Sequence, residues 1–268
     1  MPELPEVETV LRTLENHISN AVIEDVKIYY AKTVEGDAAE FRERLKGQSF
    51  RTFERRGKYL LFGMDNVLLI SHLRMEGRYR ILNRGETRPK HTHVVFELTD
   101  GRDLCYIDSR KFGRMSLVDA DMDRRSFHGL GPEPFSEEFS QEYIHRIVRS
   151  RRVPLKSLLL DQSFCAGIGN IYADEILAAC GLRPGRSCQR ITKADEQHIA
   201  EETRRILAES IRQGGTTVHS FSPEEGVTGL FQLSCMVHGK QTCGRCGADI
   251  KVRRIGGRSS YYCPACQK

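Results

Sequence analysis

No stretch of this sequence is apolar enough to cross a bilayer. Its longest apolar runs, such as Val67-Leu68-Leu69-Ile70, fall far short of the ~20 residues that a spanning helix requires. The start lacks the basic, apolar, small-residue pattern of a secretory signal, so a cytoplasmic protein is expected. Internal repeats and low-complexity tracts are absent, which argues against solenoids and disordered linkers. Excess charge is missing from most of the chain as well. The net charge is +5, yet residues 240–268 alone hold seven Lys/Arg against one Asp, or +6, which leaves −1 for the remainder. A basic tail suggests a surface for a polyanion, with a solvated, solubility-promoting tail as the alternative. At 39% hydrophobic and 29% charged over 268 residues, the chain should fold, as two domains or one large one.

Disulfides are not indicated by the nine cysteines. Cys105, Cys165, Cys180, Cys188 and Cys235 are scattered singly and read as reduced. The other four form Cys243-x2-Cys246-x16-Cys263-x2-Cys266. Two paired thiolate knuckles suit tetrahedral zinc, and four thiolates leave no open position for water, so the metal should be structural. A redox pair is the alternative, and duplication at this spacing argues against it. The residues between the pairs can form a hairpin tipped by Gly256-Gly257. Arg253, Arg254 and Arg258 on that hairpin favour nucleic-acid contact over a protein-binding ribbon.

Val7, Val10, Leu11, Leu14 and Ile18 recur at helical spacing and predict an amphipathic helix over 7–19. From about 22 to 120 the pattern turns to short strands: 22–28, 59–62, 67–70, 93–98 and 102–107. Asp65-Asn66 and Asp100-Gly101 are hairpin signals. A mostly antiparallel β-sandwich or flattened barrel follows. Gly131-Pro132-Glu133-Pro134 marks a boundary. Beyond it come helical segments near 139–148, 154–160, 170–177 and 194–213, the last stopped by Gly214-Gly215. The fold class is α+β, divided into a catalytic β-sandwich domain (1–130), a helical domain (131–237) and a zinc ribbon (238–268).

Three further stretches carry chemistry. Proline at position 2 permits removal of Met1, which would expose a secondary amine beside the carboxyl of Glu3. An α-amino group has a pKa near ~8, against ~10.4 for lysine, so its neutral form can attack a carbonyl-like carbon. An ordinary chain start with a solvated glutamate is the bland alternative. Gly167 and Gly169 form a tight turn onto a helix at Asn170, whose free N–H groups suit an anion such as a phosphate; a packing turn is the other reading. Met75 among charged residues, and Arg110 with Phe112, could wedge into a base stack or serve ordinary surface and packing roles.

Together these patterns resemble the bacterial formamidopyrimidine-DNA glycosylases. The residues that carry the resemblance are Pro2 to Thr9, Arg56-Gly57-Lys58-Tyr59-Leu60 read as one strand, Ser71 to Met75, Lys90 to His93, Asp108 to Gly113, Leu130 to Pro134, Ala166 to Glu175 and the cysteine ribbon. It spans essentially the whole chain. It implies excision of oxidised purines from double-stranded DNA, then strand cleavage at the abasic site. By resemblance Pro2 would attack C1′ and Glu3 would be the general acid. Lys58 would sit near the damaged base, and Arg258 would grip phosphates. Met75, Arg110 and Phe112 would fill the space left by the flipped base. His72, His91, Arg151 and Asn170 match DNA-contact positions. The helical part would be a helix-two-turn-helix element, with DNA in a cleft between the halves. One structural Zn2+ and a monomer at the bacterial nucleoid complete the expectation.

The chain departs from the family pattern in two places. The 214–232 loop has the length used to cap a flipped purine, but its interior, Val218 to Glu225, is unusual. Val237-His238-Gly239-Lys240 replaces Val-Tyr-Gly-Arg, which puts a tyrosine phosphate contact in doubt at His238. The related endonuclease VIII activity on oxidised pyrimidines, and a silent lesion-binding protein, are therefore rival readings. The Pro-Glu-Leu-Pro start favours the purine branch.

Overall fold

The computed structural model describes residues 1–122, 127, 129–216 and 229–268. Contacts divide the chain into two compact units. Most of the first unit is residues 6–122; residues 3–5 group with the second, helical unit.

From residue 6 on, helix α1 (Leu4–Ile18) belongs to the first unit. Its Val7, Leu14 and Ile18 are fully buried, along one stripe at helical spacing, as the sequence predicts. Eight strands follow: β1 (Ile23–Ile28), β2 (Thr52–Arg56), β3 (Tyr59–Gly63), β4 (Val67–His72), β5 (Arg78–Asn83), β6 (Thr92–Leu98), β7 (Arg102–Ile107) and β8 (Arg114–Asp119). They form two antiparallel four-stranded sheets, ordered β1-β6-β7-β5 and β2-β3-β4-β8. Alternation builds the sandwich core. Val94 and Phe96 on β6, Leu104 and Tyr106 on β7, and Leu60 and Phe62 on β3 share one apolar cluster with α1. Val95, Cys105 and Ile107 point the other way, into a small second cluster. Burying each such side chain contributes about 1.5–3 kcal/mol.

Three strands escape the sequence reading: β2, β5 and β8. They are rich in polar residues, arginine above all, and only partly buried, so their periodicity is weak. The short helix α2 (Ala38–Leu45) is also unread; Asp37 caps it by accepting from the Glu40 N–H at 2.8 Å. Asp25 ties β1 to α2 through a two-pronged bond to Arg42 at 2.6 and 2.8 Å. The Arg42 guanidinium, then the Lys27 ammonium, holds the Asp25 carboxyl well below the usual range.

The second unit contains α3 (Gln141–Ser150), α4 (Leu155–Leu160), α5 (Asn170–Ala179), α6 (Lys193–Arg212) and the short α7 (Phe231–Ser234). Thr192 and Asp195 form a capping box at the head of α6. Tyr172, Ile176, Ile199 and Leu207 belong to the apolar core, and Leu4 is buried in the same cluster. The hairpin β9 (Lys251–Ile255) and β10 (Arg258–Tyr262) closes the unit. Gly256 and Gly257 both take positive φ, +55° and +78°, as a two-residue turn of this hand requires.

Candidate active site and zinc centre

In the helical unit the site begins at Glu3, which is only 4% exposed. Its carboxylate accepts from the Ile171 N–H at 3.0 Å and from the Tyr172 N–H at 3.5 Å. These are first-turn N–H groups of α5, with no partner inside the helix. The main chain is pinned alongside: Leu4 N–H donates to the Gly167 carbonyl at 3.0 Å. Two of the N–H groups that the Gly167-Gly169 turn opens toward an anion are thus taken by the chain's own glutamate. A Cβ on residue 169 would stand 2.3 Å from the Glu3 carboxyl carbon, so that glycine is required by close approach.

Asn170 opens α5. One turn further, Asp174 lies on the same face and is fully buried. Lys156 of α4, also fully buried, donates to Asp174 at 2.5 Å, to the Ser259 carbonyl at 3.2 Å and to the Asn170 carbonyl at 3.4 Å. Burial pushes the Lys156 ammonium below its ordinary value, and Asp174 opposes that shift. One buried ion pair thus ties together Asn170, the strand that begins at Arg258, and His238. The His238 Nδ1 lies 2.7 Å from the second Asp174 oxygen, and its ring packs on Tyr261. The neighbouring Glu175 accepts from the N–H groups of Met236, Val237 and His238 at 2.6, 3.0 and 2.7 Å. Arg151 is exposed and pairs with Asp161 at 3.7 Å.

The four cysteine sulfurs lie within 4.8 Å of one another. Sulfurs ~2.3 Å from a tetrahedral zinc stand ~3.8 Å apart, and Cys243–Cys266 at 4.0 Å and Cys246–Cys263 at 3.5 Å bracket that spacing. Backbone N–H groups of Arg245 and Cys266 each donate to a sulfur at 3.4 Å, which stabilises thiolate charge. The donor set fits one structural zinc ion. Cys243→Ser should lose the metal and DNA affinity together, read by zinc release to a chromogenic chelator and by fluorescence anisotropy. Undiminished binding without zinc would refute a role for the ribbon in DNA contact.

In the sandwich unit, Lys58 corrects the sequence reading. Residues 56–60 are not one strand. Arg56 ends β2, Gly57-Lys58 make the turn with positive φ at Gly57, and Tyr59 starts β3. A lysine at a hairpin tip is ordinarily solvated, yet Lys58 is 6% exposed. Pro2 is half-buried. His72 ends β4; its Nδ1 accepts from the Arg74 N–H at 2.9 Å, and its ring meets Tyr59 edge-on.

Asp108 builds the loop that carries Arg110 and Phe112. Its fully buried carboxylate accepts from the N–H groups of Arg110, Phe112 and Gly113 at 2.9, 2.9 and 2.8 Å. Its own N–H donates to the carbonyl of His91, which is exposed and has φ of +68°. The Arg110 guanidinium lies 5.0 Å from the Phe112 ring centre. Met75 and Phe112 are 38% and 48% exposed, large apolar side chains left in water. Their two loops converge on the Tyr106 hydroxyl: a Cβ on Gly77 would fall 2.4 Å from it, and one on Gly113 1.6 Å. Asp108→Ala should therefore destabilise the unit by about 1–3 kcal/mol, since it strands three N–H groups. It should also weaken binding to a lesion-analogue duplex at least tenfold, with Asp108→Asn intermediate. Affinity within twofold of the parent would show that this loop does not need its anchor.

Asp108, Lys156, Asp174 and Glu175 are the residues that sequence reasoning missed as organisers. Their only sequence signals are the turn-forming Asp108-Ser109 and the Asn170/Asp174 spacing. The unusual 218–225 stretch lies outside the described residues. Among the described residues no helix is long and apolar enough to cross a membrane.

These features define a class: a zinc-ribbon protein of two units, with the acid next to its chain start built into the helical one. The profile of the formamidopyrimidine-DNA glycosylase N-terminal domain matches residues 1–115, that of the glycosylase H2TH domain 130–222, and that of the zinc finger found in FPG and IleRS 240–268. The formamidopyrimidine-DNA glycosylase of Lactiplantibacillus plantarum is 43% identical over the full length of both chains. That of Bacillus cereus is 41% identical, covering all of this chain and 99% of its own. A Lactococcus lactis Fpg (MutM) crystallised with DNA containing N7-benzyl-Fapy-dG superposes with a TM-score of 0.94 at 36% identity over both full chains. A second, in complex with abasic-site DNA, gives 0.93 at 34% identity, covering 99% of each chain. The chain belongs to the formamidopyrimidine-DNA glycosylase family.

Proposed function

We propose that this protein is a base-excision-repair DNA glycosylase and abasic-site lyase acting on oxidised purines, 8-oxoguanine and formamidopyrimidines. The observation that carries the reading is the Glu3 carboxylate fixed at the head of α5, one residue after Pro2. An acid held rigidly beside a terminal secondary amine suits imine chemistry. With Met1 removed, the Pro2 nitrogen attacks C1′ of a flipped nucleotide. The glycosidic bond breaks and the base departs with the bonding electrons; Glu3 takes the proton released by the Pro2 nitrogen and passes it to the ring oxygen, so the C1′–O4′ bond opens as the C1′=N bond forms. The resulting iminium cation acidifies the C2′ hydrogen. Loss of that proton expels the 3′ phosphate, and a δ-elimination then expels the 5′ phosphate.

In this reading Lys58 acts near the base and its phosphate, and Arg258 holds phosphates. Met75, Arg110 and Phe112 occupy the gap in the stack. His72, His91, Arg151 and Asn170 contact the backbone. The working division is 1–130, 131–237 and 238–268, and the setting is the bacterial cytoplasm at the nucleoid, as a monomer. Borohydride reduction with a duplex bearing 8-oxoguanine opposite cytosine should trap a covalent adduct. No adduct with either that duplex or an abasic one would sink the enzyme reading. A stronger adduct with thymine glycol would move the substrate class to oxidised pyrimidines.

A further inference from the structure

A second cationic site lies in the helical unit, apart from Arg151, Asn170 and Arg258. A cavity of about 650 Å³ is lined by Arg183, Arg186, Arg190, Arg253, Arg254 and Lys268. The rest of its wall is Pro184, Gly185, Ile255 and Tyr262, so among the described residues no acidic side chain lines it. The guanidiniums of Arg183 and Arg186 bond to main-chain carbonyls, Arg183 to Gln267 at 2.9 Å and Arg186 to Arg190 at 2.8 Å. Carbonyls orient an arginine without cancelling its charge.

The wall is firmly built. The Arg183 N–H donates to the Lys268 carbonyl at 3.0 Å, and the Lys268 N–H donates to the Gly181 carbonyl at 2.9 Å. The carbonyls of Pro184 and Arg186 accept from the first N–H groups of α4 at 3.1 and 2.8 Å. Like charges gathered this closely repel one another. Their arrangement makes sense with an anion between them. The planar guanidinium of arginine in particular matches two oxygens of a phosphate with paired donors.

The register of the hairpin says which anion. Cross-strand pairs place Arg253 opposite Ser260 and Ile255 opposite Arg258. Residues 253, 255, 258, 260 and 262 therefore share one face. Arg253 lies diagonally across from Arg258, two residues beyond its partner Ile255, roughly 7–8 Å away. A phosphate chain gripped at Arg258 would run on toward Arg253 and the cavity. We infer that this cavity is a second DNA-backbone site, which takes the phosphodiesters of duplex flanking the lesion. The inference rests on the proposed function, because it extends the phosphate grip of Arg258.

The test is a duplex-length series carrying a non-cleavable abasic analogue, with affinity read by anisotropy against salt. Parent protein is compared with Arg186→Glu/Arg190→Glu and with the neutral Arg186→Gln/Arg190→Gln, all checked for equal melting temperature. If the charge-reversed pair is misfolded, the neutral pair carries the test. On long duplexes the slope of log affinity against log salt should fall by about 0.9 for each phosphate that the variant no longer neutralises. On duplexes too short to reach the cavity, the parent and variant slopes should coincide. Equal slopes at every length would overturn the inference while leaving the glycosylase reading intact. A polyglutamate peptide that binds the parent but not the variants, with DNA slopes unchanged, would also overturn it and assign the cavity to an acidic protein segment. Failure of the parent to bind any lesion duplex would instead strike the proposed function.

Discussion

Gly169→Ala is expected to lower the single-turnover rate of base excision about 100-fold or more while leaving the protein folded. The backbone at 169, φ −131° and ψ −156°, is extended and open to any residue. The damage is one of space. The new methyl would stand 2.3 Å from the Glu3 carboxyl carbon and 2.5 Å from Oε1. Backbone and side chain cannot share that volume, so the carboxylate must leave the Ile171 and Tyr172 N–H groups. Displacing a catalytic group by ~1 Å can cost ~100-fold, and positioned general acids contribute ~10²–10⁴-fold. Affinity for an abasic-analogue duplex should fall far less than the rate, because of the proposed backbone contacts only Asn170 adjoins residue 169. Glu3→Asp, one methylene shorter, should relieve part of the clash, so the double variant should lose less than the product of the single losses. A Gly169→Ala enzyme within threefold of the parent rate would refute the assignment of Glu3 as the acid.

Lys156→Met should have the largest effect on stability. It leaves Asp174 buried, charged and facing His238 alone. Breaking one partner from a buried pair costs ~3–5 kcal/mol. The damage should spread to the hairpin, because Lys156 also bonds the Ser259 carbonyl and Asn170. Guanidinium unfolding should show a lowered midpoint, and DNA affinity should drop with it. Lys156→Met/Asp174→Leu should regain much of the stability, since an apolar pair of similar volume replaces a buried ion pair at little net cost. It should not regain the affinity, because the ribbon would still lack its tether. A single variant within 1 kcal/mol of the parent would show that Asp174 finds another partner or takes up a proton.

Much of the fold was legible because its signals are local. α1, β3, β4, β6 and β7 follow apolar periodicity, and the Asp65-Asn66 and Asp100-Gly101 turns sit where the hairpins close. β2, β5 and β8 were not legible. Arginines such as Arg55 and Arg80 interrupt their alternation, and pairing with neighbours supplies what the local pattern lacks. Lys58 was placed in a strand for a related reason: Gly57 reads equally well as a strand interruption or as the first residue of a turn.

The amino-acid order by itself determined the zinc ligands, whose spacing is the chemistry, and the adjacency of Pro2 and Glu3. It also determined the helical and strand-forming halves, through hydrophobic period. Only the tertiary structure decided where the anions go. At the head of α5 the Ile171 N–H is taken by a carboxylate 168 positions away in sequence. Asp108 turns its loop inward, and Lys156 joins α4, α5 and β10 through one buried charge. Such bonds pair groups remote in sequence, and no local period records them, because a buried charge is stable only once its distant partners have been brought together.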